Sequence, residues 1–152
     1  MKITCLVYTS RAEVEFTPTM VAELARKATA RNALEDVTGL LVHGGGRFLQ
    51  VLEGDYFILR KLYTSIVRDP RHTDCQVLIE DNSTQRRFPG WQMGHLALGA
   101  PRAKDYDAWD ELCTRPGSLL GNRPVGSDAV LTMVREFISR FGSTAGGLSQ
   151  SA

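Results

Sequence analysis

The stretch RFLQVLEG at residues 47–54 carries a polar amide where an apolar side chain is expected. If it is a strand, the period of two puts Phe48, Gln50 and Leu52 on one face and Leu49, Val51 and Glu53 on the other. Gln50 then brings two donors and two acceptor lone pairs into an apolar row, and a buried polar group left unpaired costs about 1–3 kcal/mol. Something polar must meet it, either a backbone carbonyl or water on the one hand, or a polar ligand on the other. Two further neutral hydrogen-bonding groups attract notice. Tyr8 closes an alternating run with Thr4 and Leu6, and Asn32 follows an amphipathic segment, where its commoner use is to cap a helix.

The elements that must position these groups follow from local pattern. KITCLVYT at 2–9 alternates Ile3, Cys5 and Val7 against Thr4, Leu6 and Tyr8 and reads as a strand. Thr17-Pro18 starts a helix expected over 18–31, with Met20, Val21, Leu24, Ala25 and Ala28 at helical spacing and Arg31 and Asn32 flanking that line. Residues 38–54 form a hairpin turned at Gly44 to Gly46. A second helix runs from Asp55 to about Asp69, with Leu59, Leu62, Tyr63 and Ile66 apolar and Pro70 as its stop. Strands are expected at 74–80 and 90–98, the latter with Trp91, Met93 and His95 on one face. The order β-α-β-β-α-β-β predicts an α+β, ferredoxin-like sandwich with both helices on one face of the sheet and a groove between them.

Beyond Gly99 two C-terminal helices are expected. A short one is marked by Tyr106, Trp109, Leu112 and Cys113, and a clearer one is capped at Ser127, striped by Val130, Leu131, Val134, Phe137, Ile138 and Phe141, and closed by Gly142. The stripe either covers the open face of the sheet or forms an output or dimer surface. The division is thus 1–98 as the ligand-binding domain, 99–142 as a helical cap, and 143–152 as a flexible tail.

Composition narrows the function classes. Eighteen basic and seventeen acidic residues in 152 leave a net charge of +1, which argues against direct nucleic-acid binding. Three cysteines without a CxxC pair suggest neither a disulfide framework nor a metal site. No apolar run approaches the ~18 residues of a membrane span, and the apolar part of the N-terminus is too short for a usual signal peptide, so a soluble cytoplasmic protein is expected.

Five segments taken together, YTSRA with Tyr8, RNALEDVTGLL with Asn32, GGRFLQVLEG with Gln50, RDPRH and RRFPGWQMG, resemble the BLUF domain, the sensor of blue light using FAD. The resemblance covers about residues 1 to 98. It implies FAD held non-covalently between the two helices, with Tyr8 giving an electron to the excited flavin and Gln50 bridging that tyrosine and the flavin. It also implies that Asn32 bonds the ring edge, and that Trp91 and Met93 are the pair whose exchange or movement carries the signal. Leu24 is expected to pack on the ring, and Arg71 and His72, oriented by Asp69, to reach the ribityl-phosphate side. Arg31 stands where many relatives carry asparagine, and Ser65 where a basic residue is often found.

The implied protein is a short photoreceptor and not an enzyme. The chain ends too soon for a cyclase or phosphodiesterase, so its signal would leave through an effector protein or a homo-oligomer. A flavoenzyme of the same fold is the alternative, but no GxGxxG follows the first strand and the phenol and two amides include no obvious nucleophile or base. An RNA-binding sandwich lacks the pair of stacking aromatics it would need on the central strands.

Overall fold

The computed structural model describes residues 2–99, 106–109 and 128–142. Its elements are β1 (Ile3–Ala12), α1 (Pro18–Leu34), β2 (Thr38–Gly44), β3 (Arg47–Gly54), α2 (Tyr56–Val67), β4 (His72–Ser83), β5 (Gly94–Ala97) and α3 (Ala129–Phe137), which runs on as a π-helical segment, Ile138–Gly142. The sheet order is β4-β1-β3-β2-β5. The first four strands pair antiparallel, as two interleaved β-α-β units require, and β5 adds parallel to β2. This is the ferredoxin-like α+β arrangement with a fifth strand.

Local chemistry accounts for the boundaries. The Thr17 side chain accepts from the Met20 N–H, and Asp55 accepts from Phe57 and Ile58, so each main helix opens on a side-chain cap. Gly45 and Gly46 sit at φ 58° and 73°, the two positive-φ residues of a tight β2–β3 turn. Gly39 is required for a different reason: a Cβ there would lie 1.9 Å from the Val51 carbonyl oxygen on the neighbouring strand.

The alternation read in β1 and β3 separates two cores. Leu6, Tyr8, Leu41, Phe48 and Leu52 face α1 and α2, where Val21, Ala25, Leu59 and Leu62 meet them. Cys5, Val7, Leu40, Leu49 and Val51 face the other way, against Val130, Leu131, Val134 and Phe137 of α3 and Trp109 of the helical turn at 106–109. The apolar stripe of α3 therefore covers the sheet face opposite the main helices. Phe141 reaches the hairpin turn, where a Cβ on Gly45 would come 2.7 Å from its ring.

Three expectations change. The last strand starts at Gly94 and not at residue 90, because the backbone of 87–93 is held by separate bonds to distant residues rather than by a continuous strand ladder. Glu53 accepts from the Arg87 and Phe88 N–H groups, Gly39 donates to the Trp91 carbonyl, and Asn32 donates to the Gln92 carbonyl. Consequently Trp91 and Met93 do not share a face. Met93 is buried with the α1/α2 core, while Trp91 stacks on Phe88 toward the α3 core. The side chain that caps α3 is Asp128, accepting from Val130 and Leu131. Ser127, Leu112, Cys113 and the tail at 143–152 lie outside the described residues.

Beneath α3 is a buried ion set. Glu53 and Asp128 are fully buried, and Arg87 is nearly so. The Arg87 Nε lies 3.0 Å from both Asp128 oxygens, and its Nη1 lies 3.6 Å from Glu53. Burial pushes the Glu53 carboxyl upward from its ordinary pKa, opposed by the N–H groups and guanidinium that face it. Replacing Arg87 by Met is expected to lower stability by about 3–5 kcal/mol, because it strands two buried carboxylates without their cation. Urea unfolding checks this, and a loss under about 1 kcal/mol would show that the set contributes little to folding.

Candidate functional site

A cavity of about 320 Å³ opens between α1 and α2, within the size range of small-molecule and cofactor sites. Its floor is Tyr8 and Gln50 from the adjacent strands β1 and β3, directly opposite one another in register. Leu24 and Ala28 of α1 and Ile66 of α2 form apolar walls, while Lys27, Arg31 and Arg71 bring positive charge to its edge. The α1 residues 24, 27, 28 and 31 line one side because they recur at three and four.

The Tyr8 hydroxyl donates to Gln50 Oε1, and both side chains are buried. Burial pushes the Tyr8 phenol upward from its ordinary pKa, so it stays protonated and keeps its role as donor. The Gln50 amide nitrogen lies 3.5 Å from the Met93 sulfur. A thioether is a weak acceptor for a group with two N–H bonds, so the floor of the cavity retains donor capacity for a carbonyl or ring nitrogen. The partner of Gln50 is therefore neither a backbone carbonyl nor a charged group but a phenol on one side and a thioether on the other.

Asn32 sits elsewhere. It lies inside α1 rather than capping it, since the helix continues to Leu34, and it is buried. Its Nδ2 donates to the Gln92 carbonyl at 2.7 Å, and it lines a second cavity of about 180 Å³ that shares Arg31 and Ser65 with the first. Trp91 and Met93 line neither, although Met93 stands against the Gln50 amide.

Asp69, Arg71 and His72 all line the main cavity but do different things. Asp69 takes Arg71 in a forked pair, with Nε at 3.0 Å and Nη2 at 2.6 Å. Both ring nitrogens of His72 are already engaged: Nε2 lies 2.6 Å from the Ile66 carbonyl, to which it donates, and Nδ1 lies 2.8 Å from the Ser10 hydroxyl. The imidazole thus ties the end of α2 to β1. Asp69 meets it through the backbone, where the His72 N–H donates to the Asp69 carbonyl at 3.4 Å.

The hydrogen bonds from Arg71 hold the Asp69 carboxyl down at about 2. A depressed acid stabilises the fold fully above its unfolded value of about 3.9 and loses that contribution as pH falls through the folded value. The pair is largely solvated, so its worth is at most about 1 kcal/mol. We expect Asp69→Asn to be less stable than the parent at neutral pH by no more than that amount, with the gap closing as the pH falls from about 4 toward 2. Urea midpoints at both ends of the range test it, and a gap that widened in acid would contradict the assignment.

Sequence reasoning missed Lys27, Phe16 and Ser10 as cavity residues. Lys27 was findable, being four before Arg31 and three after Leu24 on one helix face. Phe16, in the β1–α1 connection, and Ser10, beyond the expected end of β1, had no local signal.

A neutral hydrogen-bonding floor, apolar walls and a cationic edge suit a flat heteroaromatic ring with a polar rim and an anionic tail. A flavin answers to that description. The sequence model of the BLUF family, sensors of blue-light using FAD, matches residues 3–94, and the chain belongs to that family. It is 37% identical over 87 residues to the photoactivated adenylate cyclase subunit beta of Euglena gracilis, a match that covers 57% of this chain and 10% of that protein. It is 35% identical over 86 residues to the blue light- and temperature-regulated antirepressor BluF of Escherichia coli (strain K12), covering 57% of this chain and 21% of the relative. The chain thus spans only 10% and 21% of the length of these two relatives. Among solved structures, the dark state of BlrB, a BLUF protein, superposes with a TM-score of 0.60 at 29% identity, covering 64% of this chain and 74% of that one. The Klebsiella pneumoniae BlrP1 calcium/cy-diGMP complex superposes with a TM-score of 0.76 at 31% identity, over 90% of this chain and 34% of that one.

Proposed function

We propose that this chain is a blue-light photoreceptor that binds FAD in the cavity between α1 and α2 and passes its signal to a downstream effector protein or a changed homo-oligomer, with no catalysis of its own. The observation that carries this reading is the buried Tyr8 hydroxyl donating to Gln50 Oε1 at the cavity floor, with the Gln50 amide turned to Met93. Leu24 and Ile66 would hold the ring between the helices, and Lys27 and Arg71 would meet the phosphates. Asn32 would reach the ring edge from the second cavity after exchanging its bond to the Gln92 carbonyl. His72 acts by positioning, since both its nitrogens are committed to the protein.

A bound flavin supplies blue-light absorption and, once excited, a site that takes up an electron. Tyr8 is the phenol placed to give one up, its proton passing along the existing hydrogen bond to Gln50 Oε1. The electron then returns to Tyr8 and Gln50 gives the proton back with it, its amide left rotated or tautomerised and its contact with Met93 changed. Neither the imidazole nor the one carboxylate that faces the cavity is free, which favours a sensor over a flavoenzyme: the imidazole is tied to Ile66 and Ser10, and the carboxylate is paired with Arg71. FAD is preferred to FMN because Arg71 and Lys27 also line an adjoining cavity of about 300 Å³, room for a second phosphate and its nucleoside.

On this reading residues 1–98 are the sensor and 99–142 a helical cap, and the protein works in the cytoplasm without direct contact with nucleic acid. No helix among the described residues is long and apolar enough to cross a membrane. The test is the purified protein. It should be yellow, release FAD on denaturation, and show a small red shift under blue light that decays in darkness. A colourless protein able to fold, or a yellow one indifferent to light, would overturn the reading.

A further inference from the structure

The segment 86–93 touches the candidate flavin site at one end and α3 at the other. At its C-terminal end the Met93 sulfur faces the Gln50 amide, and the Gln92 carbonyl accepts from Asn32. In its middle Trp91 stacks on Phe88 with ring centroids 5.3 Å apart, and its N–H donates to the Phe88 carbonyl. At its N-terminal end the backbone N–H groups of Arg87 and Phe88 are pinned to Glu53, three residues along β3 from Gln50. The Arg87 side chain then crosses to Asp128, the residue that caps α3. One short segment therefore has its backbone anchored to the strand of Gln50 and its side chain anchored to the first turn of the C-terminal helix.

The anchoring is unequal. Arg87 Nε is 3.0 Å from both Asp128 oxygens, whereas Nη1 stands 3.6 Å from Glu53 and makes no hydrogen bond although buried. A charged hydrogen bond is ordinarily about 2.7–2.9 Å long. The guanidinium thus lies between two carboxylates, closed on one and short of the other, and a small displacement of the segment would redistribute it. An element with two such arrangements is what a coupling between sites requires.

We propose that Arg87 is the positioning residue that couples the Gln50 end of the site to α3, by dividing its guanidinium between Glu53 of β3 and the helix cap Asp128. A change of the Gln50 amide displaces Met93 and the segment behind it. Arg87 moves toward Glu53, its hold on Asp128 slackens, and the first turn of α3 loosens. Asp128 transmits this because its carboxylate accepts from Val130 and Leu131 and its carbonyl accepts from the Thr132 N–H. This coupling rests on the photoreceptor reading above, but it can fail while that reading stands.

The experiment is hydrogen exchange on the flavin-loaded full chain, in darkness and under blue light, with absorption recorded on the same samples. Wild type should show the red shift together with a change of about fivefold or more in exchange at the amides of 130–137, the low end of ordinary coupling. Asp128→Asn keeps a good helix cap but gives up the ion pair, and Asp128→Ser does the same with a shorter side chain. In either variant the red shift should persist while the light-minus-dark difference in α3 collapses. A residue with only a structural role would raise exchange equally in light and dark and leave that difference in place. A difference that survives in the variants overturns the coupling, as does a wild type that shifts its absorption without any change in α3. A wild type with no red shift instead removes the photoreceptor reading itself.

Discussion

Gln50→Leu is expected to give a yellow, flavin-loaded protein whose absorption no longer shifts under blue light. Two effects compete. The substitution leaves the Tyr8 hydroxyl, buried and donating only to Gln50 among its recorded bonds, without its acceptor, at a cost of about 1–3 kcal/mol. Against this stands the apolar burial of the ring system between Leu24, Ala28 and Ile66. At about 25 cal/mol per Å², a planar group burying about 200 Å² gains about 5 kcal/mol. Burial wins, so the colour stays. The photoresponse does not, because leucine offers neither the oxygen that accepts from Tyr8 nor the N–H groups that turn toward Met93. Light-minus-dark spectra decide it, and a normal shift in the variant would remove Gln50 from the switching role.

How the floor of the cavity came to be readable in sequence, while its connection to α3 did not, has a physical explanation. Strand alternation is a local rule, so Tyr8 with Leu6, and Gln50 with Phe48 and Leu52, could be assigned to one face before any contact was known, and the two cores divide on those lines. The glycine pair of the hairpin and the cap at Thr17 are local too. The stretch 87–93 obeys no local rule. Its amides and carbonyls are satisfied by Glu53, Gly39 and Asn32, all distant in sequence, and this irregular backbone sends Trp91 and Met93 to opposite sides of the sheet. A strand period imposed on it gave one shared face, which the structure replaces with two. Glu53 shows the same limit. Alternation put it on the face away from Gln50, yet a lone acidic residue in an apolar strand says nothing of which cation it meets, and both Arg87 and Asp128 are distant in sequence.

Tyr8→Phe should keep the fold and the bound flavin while abolishing the normal photocycle. The ring is retained, and with it the apolar packing against the helix-side core and the edge-on contact with Tyr63, whose centroid lies 5.2 Å away. Only the hydroxyl leaves. Gln50 Oε1 then loses its recorded donor in a buried place, which costs about 1–3 kcal/mol, a loss that a domain of ordinary stability survives. The consequence for light is larger than for stability. Phenylalanine has no O–H to release along the hydrogen bond to Gln50, and a benzene ring is far harder to oxidise than a phenol, so the paired loss of electron and proton that Tyr8 permits has no substitute at this position. Tyr63 cannot stand in for it: its ring meets the edge of residue 8, while the bond to the Gln50 amide belongs to Tyr8 alone among the recorded contacts. Steady-state spectra of the variant should show the flavin bands without the red shift. Transient absorption should show an excited state that outlives that of the wild type, because its fastest route of decay has gone. A red-shifted lit state formed at the wild-type rate would remove Tyr8 from the electron-donor role and send the search to Tyr63 and Trp91, the other oxidisable rings nearest the floor and the segment behind it.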